Sequence, residues 1–137
     1  MDKSIQNIDI FNASAALIFS ELYKNIPVPI TLNYQNLSSQ IHKDNDTVSQ
    51  EIIIAVFINT VTWLKKSGFI WLDAEGELDV YGALLSPKGL EVLSIIPEIS
   101  IDGEPIGKQL TSLQSESTNT DIAALIQIAI TAGSKLP

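Results

Sequence analysis

Between Gln50 and Ser67 the chain sets Ile52, Ile53, Ile54, Val56, Phe57, Ile58, Val61, Trp63 and Leu64 into one segment that ends at Gly68. At about 100° per residue, Ile53, Ile54, Phe57, Ile58, Val61 and Leu64 cover one broad helical face, and Ile52, Val56 and Trp63 widen it on one flank. Only Glu51, Ala55, Asn59, Thr62 and Lys66 form a polar stripe. A helix wetted along so narrow a line must be packed on most sides, so the sequence places it at the centre of the fold or of an oligomer interface, with Phe57 and Trp63 buried. Thr47 and Gln50 have the spacing of a capping box and mark its start, and Lys65 and Lys66 sit in the last turn, where cations are favoured.

The remaining elements follow from breakers and caps. Asn12, a preferred N-cap residue, opens a helix over residues 12 to 25 that carries Ala16, Leu17, Ile18, Phe19, Leu22 and Tyr23 before Pro27. Val28, Ile30 and Leu32 alternate beside Pro27 and Pro29, the pattern of an edge strand, since proline cannot donate to a ladder. Tyr34 to His42 reads as a short helix with Leu37 and Ile41 four apart, followed by a turn at Asp44, Asn45 and Asp46. Phe69 to Leu72 and Leu78 to Tyr81, joined through Asp73-Ala74-Glu75-Gly76-Glu77, read as a β-hairpin. Ser86 and Pro87 cap and begin a helix carrying Leu90, Val92, Leu93 and Ile96. Ile106, Leu110 and Leu113 then suggest a short helix, residues 114 to 120 a polar loop, and Asp121 to Ala132 a last, very apolar helix. A chain of 137 residues supports one core. The expected organisation is a mostly α domain with a small β-hairpin over residues 1–97, a connector over 98–105 and a C-terminal helical appendage over 106–137.

Helix, short strand, helix, long helix, hairpin and helix is an order that resembles a winged helix-turn-helix domain over residues 10 to 97. Two stretches carry the resemblance. Phe57-Ile58-Asn59-Thr60-Val61-Thr62-Trp63-Leu64-Lys65-Lys66-Ser67-Gly68-Phe69-Ile70 looks like a recognition-type helix running into the wing, although the helix is longer than usual. Leu85-Ser86-Pro87-Lys88-Gly89-Leu90-Glu91-Val92-Leu93 is similar to the Leu-Thr-x-Lys-Gly entry to the helix after the wing. The chain is in these respects similar to uncharacterised bacterial winged-helix-like proteins, with residues 98 to 137 unmatched. The resemblance implies DNA binding through the third helix and the wing, with Asn59, Thr62, Lys65 and Lys66 as nucleic-acid contacts.

The charges oppose that implication. Sixteen acidic residues face eight basic ones, all eight are lysine, and the formal net charge is −8. Arginine, the usual bidentate partner of phosphate and guanine, is absent from the sequence. Asn59 has the amide that pairs with adenine, but only Lys66 on the polar stripe is positive, and the wing carries Asp73, Glu75, Glu77 and Asp79. A DNA binder needs several cations to release counterions, and four carboxylates repel phosphates. The expected role is therefore protein–protein interaction or self-association, with a DNA-binding transcription regulator as the alternative.

Other chemistries find weaker footing. The acidic run of the hairpin lacks the twelve-residue spacing and closing bidentate acid of a calcium loop. His42 is the only imidazole, and Asp44, close to it in sequence, falls with it where a turn is expected, whereas Ser86 with Lys88 is explained by helix capping. No phosphate-cradling glycine loop is present. No catalytic residue, metal ligand or cofactor is expected, and Trp63, Phe69 and Trp71 read as core rather than as a ligand pocket. On the last helix, Ile122, Leu125, Ile126, Ala129 and Ile130 repeat at three and four, which makes them the expected contact in a homo-oligomer, a dimer most simply. Folding back onto their own domain is the competing arrangement. That helix lacks the basic face of a membrane-surface helix, and no apolar run approaches the roughly twenty residues of a membrane span. The absence of cysteine and of a basic, cleavable leader points to the cytoplasm.

Overall fold

The first helix is longer, and buried more completely, than its apolar pattern indicates. In the computed structural model, which describes residues 3–44, 47–97, 103–112 and 119–136, helix α1 spans Lys3–Asn25. Asn12 lies in mid-helix and is buried, so it is not the N-cap that its residue type suggested. Every residue from Ser14 to Ser20 is buried. Ser14, Ala15, Ala16 and Ser20 are small enough to let neighbours approach from several sides, whereas Leu17, Ile18 and Phe19 fill the spaces between them.

The elements that follow use that freedom. Strand β1 (Ile30–Asn33), helix α2 (Tyr34–Asp44) and helix α3 (Gln50–Lys66) follow α1, and α2 and α3 pack on it. Strands β2 (Ile70–Trp71), β3 (Ala74–Glu75) and β4 (Asp79–Leu85) form the hairpin, and β4 also reaches α1. Helix α4 (Pro87–Leu93) comes next, and α5 (Ile106–Ser112) and α6 (Asn119–Gly133) close the remaining sides of α1. The centre of the fold is thus α1 rather than α3. On α3, Ile53, Phe57, Val61 and Leu64 are fully buried, whereas Ile52 and Trp63 are 49% and 41% exposed. The helix is covered on one face only, because α1 takes the position that its wide apolar surface had suggested for itself.

The start of α3 also differs in detail. Ser49 is the N-cap, its hydroxyl accepting from the Ile52 amide at 3.3 Å. Gln50, instead of reaching back to Thr47, donates to the hydroxyls of Ser38 and Ser39 at 3.3 Å and ties α3 to α2. Asn45 and Asp46 of the expected turn lie outside the described residues.

β4 is the middle strand of a small antiparallel sheet ordered β1-β4-β2, with β3 also paired to β4. Ile70 pairs with Leu85, Trp71 with Leu84, Ala74 with Tyr81 and Glu75 with Val80. Gly76 donates to the Asp79 carbonyl at 2.7 Å, so the turn falls at residues 76 to 79, later than the expected 73 to 77. Gly82 has φ +68° and lies against the Asp73 carboxylate, where a Cβ would collide.

One corner ties hairpin, α3 and α4 together. Ser86 caps α4 through the Gly89 amide at 3.0 Å and donates its hydroxyl proton to the Gly68 carbonyl. Lys88 donates to the Ser67 carbonyl at 3.0 Å, capping the end of α3, and lies 5.1 Å from the Phe69 ring centre. Gly89 packs directly on the Phe69 carbonyl, leaving no room for a side chain. Around this corner Phe69 stacks on Trp63 at 6.3 Å and meets Phe19 of α1 edge-on at 5.9 Å, whereas Phe11 meets Trp63 edge-on at 5.3 Å.

The buried cluster is continuous from Ile10 through Phe57 and Leu85 to Ile106, Leu110, Leu125, Ile126 and Ala129. Helices α5 and α6, expected as an appendage, share the core of residues 1–97. Residues 98–102 of the expected connector lie outside the described residues.

Phe57 and Trp63 should now separate. Phe57→Ala, which empties a fully buried site beside Tyr34, is expected to cost about 3–5 kcal/mol. Trp63→Ala, which removes a partly exposed ring and two aromatic contacts, is expected to cost about 1–2.5 kcal/mol. Urea unfolding of the two variants checks the order, and equal losses would contradict the placement of Trp63.

Candidate functional site

The nucleic-acid contacts expected on α3 lie on one side of the helix but are chemically engaged with it. Asn59 is exposed and its amide donates to the Ala55 carbonyl at 2.9 Å, and Thr62 donates to the Ile58 carbonyl at 3.3 Å. Each spends one donor on its own helix, which leaves the second N–H and the Oδ1 of Asn59 and the acceptor oxygen of Thr62 for other partners. Lys65 and Lys66 are exposed at the end of the helix. His42 is half-buried at the end of α2, and Lys88 is held in the corner described above. Among the described residues no group of three or more His, Asp or Glu side chains comes together to hold a metal ion, and no helix is long and apolar enough to cross a membrane.

On α6 the apolar face is divided. Leu125, Ile126 and Ala129 are buried in the chain's own core, whereas Ile122 and Ile130 are half-buried. The packing of α6 on α1 and α4 leaves only the last two of these five side chains partly accessible to a second chain.

The aromatic trio does not converge. Phe69 is buried, Trp63 stacks on it, and Trp71 is turned to the opposite side of β2 from the buried Ile70. Trp71 is 56% exposed and pairs directly with the half-buried Leu84, so both lie on the sheet face away from the core. Tyr81, 46% exposed, joins them. Its side is fixed by register: Leu32 pairs with Val80 and Ile30 with Ala83, so Val80 and Ala83 both face inward although three residues apart. The irregularity at Gly82 absorbs the extra residue and turns Tyr81 and Leu84 outward together. Leu78, at the turn, is 60% exposed. Tyr81 was not singled out from the sequence as a surface residue, since strict alternation does not predict which side it takes once Gly82 interrupts the strand.

This face has a firm support. Asn33 accepts from the Asn36 amide at 2.8 Å, capping α2, and its own amide donates to the Asp79 carboxylate at 2.9 Å. The Tyr34 amide donates to the Leu78 carbonyl at 2.9 Å. The turn is therefore pinned to the start of α2. Asp73, Glu75 and Glu77 are exposed around it, and the ion pairs of Lys24 with Glu21 on α1 and of Lys108 with Glu104 at the start of α5 lie elsewhere in the fold.

Burial pushes the Tyr34 phenol above its usual pKa, and the nearby Glu75 carboxylate adds to the shift. The folded chain then holds this proton more tightly than the unfolded chain does. The stability associated with the neutral phenol is present below about pH 10 and is lost as pH rises through the raised folded value. Tyr34→Phe is expected to flatten the alkaline decline in the urea midpoint between about pH 9 and 11; an unchanged decline would place its cause elsewhere. Glu75→Lys with Glu77→Lys should shift stability at neutral pH by no more than about 0.5 kcal/mol, because the charges are exposed and alike. A collapse of folding would show that these carboxylates have a structural role.

In comparisons with known proteins, no family model, no curated protein and no solved structure matches the chain.

Proposed function

We propose that this chain is a non-enzymatic, winged-helix-like protein-interaction module that works in the cytoplasm. The strand order β1-β4-β2, framed by α2 and α3 before the hairpin and α4 after it, supports the winged-helix reading. The corner built by Ser86, Lys88 and Gly89 supplies a physical reason for the Leu-Ser-Pro-Lys-Gly sequence that carries the resemblance.

One observation carries the choice of protein over DNA. The hairpin presents large apolar side chains, Trp71, Leu78 and Tyr81, among carboxylates and contains no lysine between Lys66 and Lys88. Exposed aromatic residues are typical anchors of protein interfaces, whereas a wing of this charge repels a phosphate backbone. On α3, Lys66 is the one cation of the polar stripe, Lys65 is exposed beside it in the last turn, and Asn59 and Thr62 each donate to their own helix. Self-association through Ile122 and Ile130 is compatible with this role, since both remain half-buried.

Retention on immobilised random-sequence DNA tests the proposal. The chain is expected to pass unretained at about 50 mM salt, because too few cations meet the phosphates to release counterions. Retention whose logarithm falls steeply with the logarithm of salt, and which Lys65→Ala with Lys66→Ala abolishes, would instead favour a DNA-binding regulator.

A further inference from the structure

We propose that the outward face of α3 is a contact between two copies of this chain, paired antiparallel about a two-fold axis. The inference deepens the interaction reading, on which it rests, by naming the partner. Ile53, Phe57, Thr60, Val61 and Leu64 are the residues of α3 buried in its own core. Away from them, Ile52, Asn59 and Trp63 are exposed and Val56 is half-buried. These four follow one another at spacings of four, three and four residues, the repeat of a coiled-coil seam. The apolar area continues onto α1, where Phe11 meets Trp63 edge-on and Ile8, about one turn earlier, is exposed.

Self-complementarity selects the occupant. A two-fold contact brings the same surface of each copy together, so that surface must complement itself. The spacing of four, three and four reads the same in both directions, and an axis midway between Val56 and Asn59 sets Ile52 against Trp63 of the second copy and Val56 against its Asn59. The two Asn59 amides then lie within one turn of each other, each with an N–H and an Oδ1 beyond its bond to the Ala55 carbonyl. A single polar residue in an apolar seam fixes register and orientation. The charges agree. Glu51 and Lys65 are exposed and fourteen residues apart, close to four whole turns, so they share a flank of the helix. The same axis brings Glu51 of each copy to within about 2 Å, measured along the helix, of the level of Lys65 of the other. A parallel pair would instead set Glu51 on Glu51 and lysine on lysine. Ala55 and Thr62, between the seam and these charges, are small and permit close approach. The net charge of −8 opposes association at long range, but at physiological ionic strength it is screened beyond about 8 Å.

The test is sedimentation of the full chain at about 0.15 M salt, on dilution from about 0.5 mM. A dimer that dissociates on dilution is expected. Its Kd should rise about tenfold or more in Ile52→Gln, where an apolar contact is lost twice by symmetry, and stay unchanged in Trp71→Ser, on the sheet face. Glu51→Lys and Lys65→Glu/Lys66→Glu should each weaken association about fivefold, and an equimolar mixture of these two chains should recover the original affinity. With Trp71→Phe, Trp63 is the remaining tryptophan, and its emission should move to the blue as the dimer forms. Urea unfolding confirms that each variant is folded. A chain that stays monomeric at about 0.5 mM, a Trp63 emission that does not move, or charge-reversed chains that mix no more tightly than either associates alone would each overturn the proposal. So would a dimer that Ile52→Gln leaves intact and Ile130→Ser abolishes, since the contact would then lie on α6. A monomer that passes DNA unretained leaves the interaction module standing with a different surface, whereas DNA retention removes the module reading itself.

Discussion

Everything in this fold depends on enclosing one helix. Ser14 to Ser20 of α1 have no side exposed to water, and an α-helix buried all round needs partners all round. Helix α3 and the strand β4 supply part of the enclosure, and α5 and α6 supply the rest. Gly107 of α5 meets the Tyr23 ring of α1, and Gly133 of α6 meets the Phe69 ring at the hairpin corner, so both C-terminal helices sit at close range. A helix of about fifteen residues such as α6 is marginal alone in water, and burial of Leu125, Ile126 and Ala129 is what makes it persist. The same contacts turn the C-terminal region from an attachment into a wall of the core.

The orientation of the hairpin follows from the Phe69 corner. Ser86, Lys88 and Gly89 bond or pack against the backbone of Ser67, Gly68 and Phe69, which fixes the angle at which the chain leaves α3. The opposite end is held by Asn33 and Asp79. With both ends fixed, Gly82 decides which side chains face out. The exposed aromatic surface is consequently built on held backbone, so binding there need not first order a loose loop.

Much of this was legible in the residues, and the failures have identifiable causes. Ser86 and Pro87 announced α4, Gly68 announced the end of α3, and the apolar residues of the hairpin announced its strands, because caps, breakers and branched residues act locally. The mostly α character with a small antiparallel sheet followed from them. The role of α1 was hidden because Asn12, Ser14 and Ser20 look polar in a pattern count, yet here they are buried among apolar neighbours. Trp63 was read as core from periodicity alone, which records a face but not whether a neighbour covers it. The acids of the hairpin and the α3 stripe were visible as sequence. That Trp71, Leu84 and Tyr81 share a face was not, since it depends on an irregularity at one glycine.

A single cooperative core around α1 makes a distinct demand on native-state dynamics. Amide hydrogen exchange at increasing sub-denaturing urea measures the opening free energy of each segment separately. The amides of residues 14 to 20, 57 to 64 and 125 to 129 should converge on one opening free energy equal to that of global unfolding. Release of 125 to 129 at a much lower free energy, with 14 to 20 still protected, would contradict the enclosure of α1 by the C-terminal helices.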